Sequence, residues 1–203
     1  VSGGFSEAIN FSFEGYELLT LFGKTEALGI LNPISSEGAV MRTSLLPGLI
    51  RNSVLNLNRQ EQNARLFEIG KIFIPAGKGE LPVEITKLAA AATGRRQPEL
   101  WDKEEFDFFD FKNLLDKGFD ALSISGSVKF RRAAEIGFLH PGKSAVITAG
   151  GGDCGFIGEL HPDLSDKLEI SKKLYVMELD LDRITGEFSE TRKAFTPLPR
   201  FPA

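Results

Sequence analysis

From Leu46 onward, apolar residues recur at helical spacing. Leu46, Leu49, Ile50, Val54 and Leu57 share one side, which predicts an amphipathic helix with a buried face. Ser44 is the candidate N-cap, placing Pro47 in the first turn, where a missing amide costs little. Gly48 is a poor helix former, so it asks for close packing or a bend. Further on, Leu66 to Pro75 reads LFEIGKIFIP, apolar on both alternating faces, which predicts a central strand rather than an edge. Gly77 to Gly79 supplies a hairpin tip. Val83 to Thr93 supplies the return strand, and its small residues Ala89 to Ala92 let a neighbour approach closely.

Weaker patterns flank this stretch. Glu7 to Phe13 alternates as a strand would, and Tyr16 to Gly23 has the period of a short helix. Asn32-Pro33 marks a turn, and Ile34 to Gly38 has a loop composition. Gly94 to Asp102, with the single tryptophan Trp101, reads as a long loop or connector. Glu104 to Phe111 reads as a mixed apolar strand beside Asp107 and Asp110. The pair suggests metal or acid-base work, or else a helix start that favours Asp110. Lys112 to Leu122 is helical, with Gly118 weakening its middle. A strand around Ser127 to Phe130, a turn at His140-Pro141-Gly142 and a strand over Ser144 to Ala149 follow. Gly150 to Gly152 is a hairpin tip, Cys154 to Leu160 returns antiparallel, Pro162 to Leu168 is a short helix, and Leu174 to Leu181 is the last strand. Strands joined by tight glycine turns imply an α+β fold with an antiparallel sheet, and no βαβ period points to a Rossmann layout.

Composition narrows the function little. The 203 residues suit one large domain, or one with a small appendage, and 42% hydrophobic with 26% charged is ordinary for a globular protein. A net charge of -4 gives no global basic signal for nucleic acid or membrane. Locally, Arg42, Arg51, Arg59 and Arg65 meet few acids and form a positive stripe: either a solvated helix face, or a contact for a partner or nucleic-acid backbone. One cysteine, Cys154, excludes an internal disulfide and suggests an intracellular, cytoplasmic setting. No apolar run is long enough to span a bilayer, so no membrane partner is expected. The start lacks an initiator Met, and FTPLPRFPA at the end carries three prolines, so the chain reads as part of something longer, ending in an extended linker.

Site chemistry is sparse. Two histidines, His140 and His161, and one cysteine fall short of the roughly four ligands of a structural zinc site. Gly150 to Gly152 lacks the Gly-Lys-Ser/Thr of a phosphate loop, and no serine sits in a nucleophile elbow. No catalytic, cofactor-binding or metal-ligating residue is assigned.

Several motifs in order resemble the bacterial phenylalanyl-tRNA synthetase beta subunit. They are Asn32-Pro33, Met41 to Leu49 (MRTSLLPGL), Asn58-Arg59-Gln60, Leu66 to Gly70 (LFEIG), Phe108 to Lys112 (FFDFK), His140 to Ala145 (HPGKSA) and Ile157 to Pro162 (IGELHP). The resemblance implies a class II aminoacyl-tRNA synthetase-like antiparallel sheet flanked by helices. On this basis residues 1–190 form a catalytically degenerate core, and 191–203 a linker toward an anticodon-binding domain.

The resemblance also implies a non-catalytic module that supports an alpha subunit in ATP-dependent attachment of phenylalanine to tRNA(Phe), within a heterotetramer of two alpha and two beta chains. ATP and magnesium would serve the holoenzyme, with no cofactor in this portion. The beta-subunit magnesium and editing functions of that family lie in earlier domains. Class II ATP sites carry an arginine in motif 2 and another in motif 3, which offset charge on the transferring phosphoryl group. The motif 3 counterpart here, Gly155 to Pro162, holds Glu159 and His161 but no arginine. The motif 2 counterpart, Leu66 to Phe73 and then Phe106 to Phe111, offers Lys71 beside Asp107 and Asp110. Arg42 is expected to fix the loop and helix or to meet the partner. The alternative, an active small adenylate-forming enzyme on the same fold, would need arginines from elsewhere, such as Arg95, Arg96 or Arg131.

Overall fold

A computed structural model describes residues 3–23, 26–77, 79–97 and 103–186. Its strands are β1 (Ser6–Glu7), β2 (Phe13–Glu14), β3 (Val40–Met41), β4 (Arg65–Ile74), β5 (Val83–Ala92), β6 (Val128–Arg132), β7 (Leu139–Ala149), β8 (Gly152–Leu160) and β9 (Tyr175–Asp180). Its α-helices are α1 (Tyr16–Leu21), α2 (Leu46–Asn58), α3 (Phe108–Ala121), α4 (Pro162–Lys167) and α5 (Leu181–Gly186). Among the described residues, seven strands form one sheet in the order β1-β4-β5-β9-β8-β7-β6. Every pairing is antiparallel except β1 with β4, and β2 pairs with β3 separately.

The period of two along β5 and β9 divides the core between the two faces of the sheet. Ala89, Ala91 and Val176 face α2, with Leu45, Leu46, Leu49 and Ile50 packed on them. Ala90, Ala92 and Met177 face the other way, toward Phe111, Leu115 and Phe119 of α3. Ala89 and Ala91 therefore let α2 seat closely on one face, whereas on the other a cavity lies between Ala90 and α3.

Several expectations are corrected. Glu104 to Phe111 is not a strand. Asp107 caps α3: its side chain accepts the Asp110 amide at 2.9 Å, while the Asp110 carboxylate accepts the Asp107 amide at 3.0 Å. The antiparallel partner of β4 is thus β5, and Phe106 to Phe111 takes no part in that pair. The helix start that favours Asp110 is the reading the backbone satisfies. Local capping outweighs the aromatic run: Phe111 is buried on the helix face and Phe109 is left exposed.

Ser44 is not the N-cap of α2. That position falls to Leu45, although the Ser44 hydroxyl still accepts the Leu46 amide at 3.2 Å. Pro47 does lie in the first turn. Glu7 to Phe13 is two short pieces, β1 and β2, because the chain leaves one sheet to join the other. His140-Pro141-Gly142 lies inside β7, where the register with β8 shifts between Leu139 and Ser144. β4 stands next to the sheet edge: β1 covers only Leu66 and Phe67, leaving Ile69 half exposed. Helix α5, unforeseen in the sequence pattern, follows β9 directly. Trp101 and the linker at 191–203 lie outside the described residues.

Candidate functional site

Two regions could carry function: the sheet face beneath α3, and the seam where the N-terminal segment meets α2 and β4. Beneath α3 lies a cavity of about 340 Å³ between β4, β5, β9, α3 and α5. Every residue lining it is apolar or glycine, including Phe5, Phe67, Leu88, Leu115, Met177 and Ile184. Such a wall satisfies no phosphate and no zwitterion.

Of the arginines that an ATP site could recruit, Arg96 and Arg131 are engaged with carboxylates. Arg96 pairs with Glu104, Asp107 and Asp110, and these partners hold its pKa above the ordinary value, Asp110 most strongly. Arg131 pairs with Glu135 at 2.5 Å and Asp153 at 2.7 Å. Arg95 is exposed, its amide donates to Asn63 Oδ1, and its carbonyl accepts from Arg65. Lys71 is exposed and bound to Glu84 at 2.6 Å. In Gly155 to Pro162, Glu159 receives Lys143 Nζ at 2.7 Å and the Tyr175 hydroxyl at 3.1 Å. Burial, with the Glu159 charge beside it, pushes the Tyr175 hydroxyl far above its ordinary range.

The two histidines are spent on local caps. His140 Nδ1 accepts the Gly142 amide at 3.0 Å, and His161 Nδ1 accepts the Asp163 amide at 3.2 Å. Among the described residues, no group of three or more His, Cys, Asp or Glu could hold a metal ion. Buried Cys154 has its thiol pushed up to about 11, chiefly by desolvation.

The seam is organised by Arg42. Its side chain is 5% exposed and lies 2.6 Å from Glu68, itself 4% exposed. Its Nε donates to the Lys71 carbonyl at 2.9 Å. Gly70 is required beside it, because a Cβ there would collide with the guanidinium. Glu68 also accepts Asn10 Nδ2 at 2.7 Å, and Asn52 Nδ2 donates to Asn10 Oδ1 at 2.9 Å. Glu178 Oε1 accepts the Ser44 hydroxyl at 2.8 Å and the Leu45 amide at 2.7 Å, tying the start of α2 to β9. Gly48 now has its reason: a Cβ there would stand 3.1 Å from Asn10 Cγ and 3.2 Å from Glu14 Oε1. The segment that carries Asn10 and Glu14 therefore rests on the helix backbone.

The expected positive stripe is dispersed. Arg42 is sealed in its pair, Arg51 and Arg59 are exposed on α2 and at its end, and Arg65 stacks on Phe106 with its ring centroid 5.0 Å away. Sequence reasoning also missed a set of exposed apolar residues. Ile9, Phe11, Leu31 and Ile34 are each at least 72% exposed, and the Phe11 and Phe13 rings stack at 5.0 Å. The weak alternation at Glu7 to Phe13 was the signal: its apolar positions face solvent.

The fold is that of a class II-type synthetase core. Two solved structures of pyrrolysyl-tRNA synthetase from Desulfitobacterium hafniense match it with TM-scores of 0.63 and 0.66 at 15% identity, each covering 91% of this chain and 63% of theirs. The chain belongs to the phenylalanyl tRNA synthetase beta chain CLM domain family, which it matches over residues 1–181. It is 36% identical over 210 residues to the phenylalanine–tRNA ligase beta subunit of Geobacter sulfurreducens, covering 100% of this chain and 26% of that protein. It is 38% identical over 203 residues to that of Mannheimia succiniciproducens, covering 98% of this chain and 25% of that protein. The chain thus spans about a quarter of the length of the curated relatives it matches. No helix among the described residues is long and apolar enough to cross a membrane.

Proposed function

We propose that this chain is a non-catalytic core module of a phenylalanyl-tRNA synthetase beta subunit. It supports an alpha subunit that attaches phenylalanine to tRNA(Phe) with ATP and magnesium, in an assembly of two alpha and two beta chains in the cytoplasm. Residues 1–190 act as the core, and 191–203 lead toward an anticodon-binding domain. The observation that carries the reading is the sheet face beneath α3. Its cavity is lined only by apolar residues and glycines, so it offers no cation to a nucleotide phosphate. The alternative adenylate-forming enzyme would need Arg95, Arg96 or Arg131 converging on that face, yet Arg96 and Arg131 are bound to carboxylates, and Arg96 lines only the adjoining polar cavity, where Asp110 holds it.

The alpha subunit docks on exposed apolar residues, Ile9 and Phe11 beside the seam together with Leu31 and Ile34. Co-purification of the chain with its cognate alpha subunit tests this. Capture by the wild type, lost on Phe11→Asp, is the expected result. Undiminished capture by the variant would contradict the docking face.

A further inference from the structure

Glu14 belongs to the segment that presents Phe11 and Phe13, yet its own side chain points inward. The residue is 1% exposed, and its Oε2 is buried with no hydrogen-bond partner. Its Oε1 lies against the first turn of α2 at Gly48. The charged groups facing it are Arg51 from α2, Arg42 beyond β3 and Glu68 from β4. Burial raises its pKa to about 7, the two arginines oppose that rise, and Glu68 adds to it.

A neutral carboxyl fits this dry site, whereas a carboxylate there loses solvation that neither arginine restores by a hydrogen bond to Oε2. The segment is lightly held. β2 is two residues long, Asn10 bonds Glu68 and Asn52, and the Ser12 carbonyl accepts the Arg42 amide at 3.0 Å. Releasing residues 10–14 breaks the β2–β3 pair but leaves β1, which ends at Glu7, in the seven-stranded sheet.

We propose that Glu14 is a proton-operated latch: protonated, it keeps the N-terminal segment seated on α2, and ionised, it favours release of the segment that carries Phe11 and Phe13. The effect on partner binding rests on the docking reading above, but the latch itself does not. The sign follows from the raised folded-state pKa. The seated form holds the proton more tightly than the released form, so seating weakens as pH rises from the ordinary carboxylate range toward 7, and levels off above it.

Amide exchange of the 203-residue chain between pH 5 and 8, divided by intrinsic rates, reads the latch. The reporters are the Arg42 amide, bonded to Ser12, and the Asn10 amide, bonded to Glu68. Opening is expected to increase by roughly one to two orders of magnitude across that range in the wild type, and to be flat in Glu14→Gln. Carboxyl-carbon NMR should show Glu14 titrating near neutral pH, and at higher pH in Arg51→Ala, which removes an opposing cation. Titration of Glu14 in the ordinary carboxylate range would overturn the latch, as would the same pH dependence in wild type and Glu14→Gln. If that variant does not fold, the carboxyl titration and its displacement in Arg51→Ala decide. The expected profiles with no capture of the alpha subunit would uphold the latch and overturn the docking reading.

Discussion

Arg42 and Glu68 face each other at 2.6 Å with both side chains almost sealed from water. The pair joins the turn before α2 to β4, 26 residues further along the chain. Removing one partner leaves the other charge buried and unpaired, a change that typically costs about 3–5 kcal/mol. Arg42→Met is therefore expected to destabilise the chain by roughly that amount in urea unfolding. The double variant Arg42→Met/Glu68→Leu should recover part of the loss. Equal stability of Arg42→Met and wild type would show that the pair does not hold the seam.

Asp107 and Asp110 form a capping box at the start of α3. Asp107→Ala should cost about 1 kcal/mol through the start of α3, read as a lower thermal midpoint. Added magnesium should not shift the wild-type midpoint through these residues. They already bond each other's amides, and Asp110 is tied to Arg96.

Cys154 is buried with its thiol pushed up to about 11, so it is protonated at neutral pH and shielded from reagents. Its labelling by a thiol reagent at pH 8 should be at least roughly a hundredfold slower in the folded chain than in urea. Its contribution to stability is full below its ordinary pKa of 9.0 and declines as pH rises toward 11, because the folded state holds the proton more tightly. Fast labelling of the folded chain would place the thiol outside the core.

Much of the sheet was legible because its signals are local. The hairpin of β4 and β5, the glycine tip between β7 and β8, and the strand over Leu174 to Leu181 follow from apolar runs bounded by turns. The class of fold follows from that order. EEFDFFDF misled because its apolar run suits a strand as well as a helix; on α3 Phe111 is buried while Phe109 stays exposed, and the reciprocal bonds of Asp107 and Asp110 decided between the two. The positive stripe misled because spacing cannot tell a solvated arginine from Arg42, whose partner Glu68 was assigned only to a strand. Gly48 announced a close approach but could not name Asn10 and Glu14 as its cause, since that contact spans more than 30 residues. The exposed phenylalanine at position 11 had no sequence signal beyond alternation, which does not say which face meets water.

On the proposed reading, this sheet has the form of a synthetase core without its nucleotide chemistry. Calorimetric titration of ATP with magnesium, and then of a phenylalanyl-adenylate analogue, into the 203-residue chain tests it most directly. No saturable heat is expected for either ligand, because the cavity beneath α3 presents only apolar residues and glycines. Saturable binding of either ligand at micromolar concentration would contradict it.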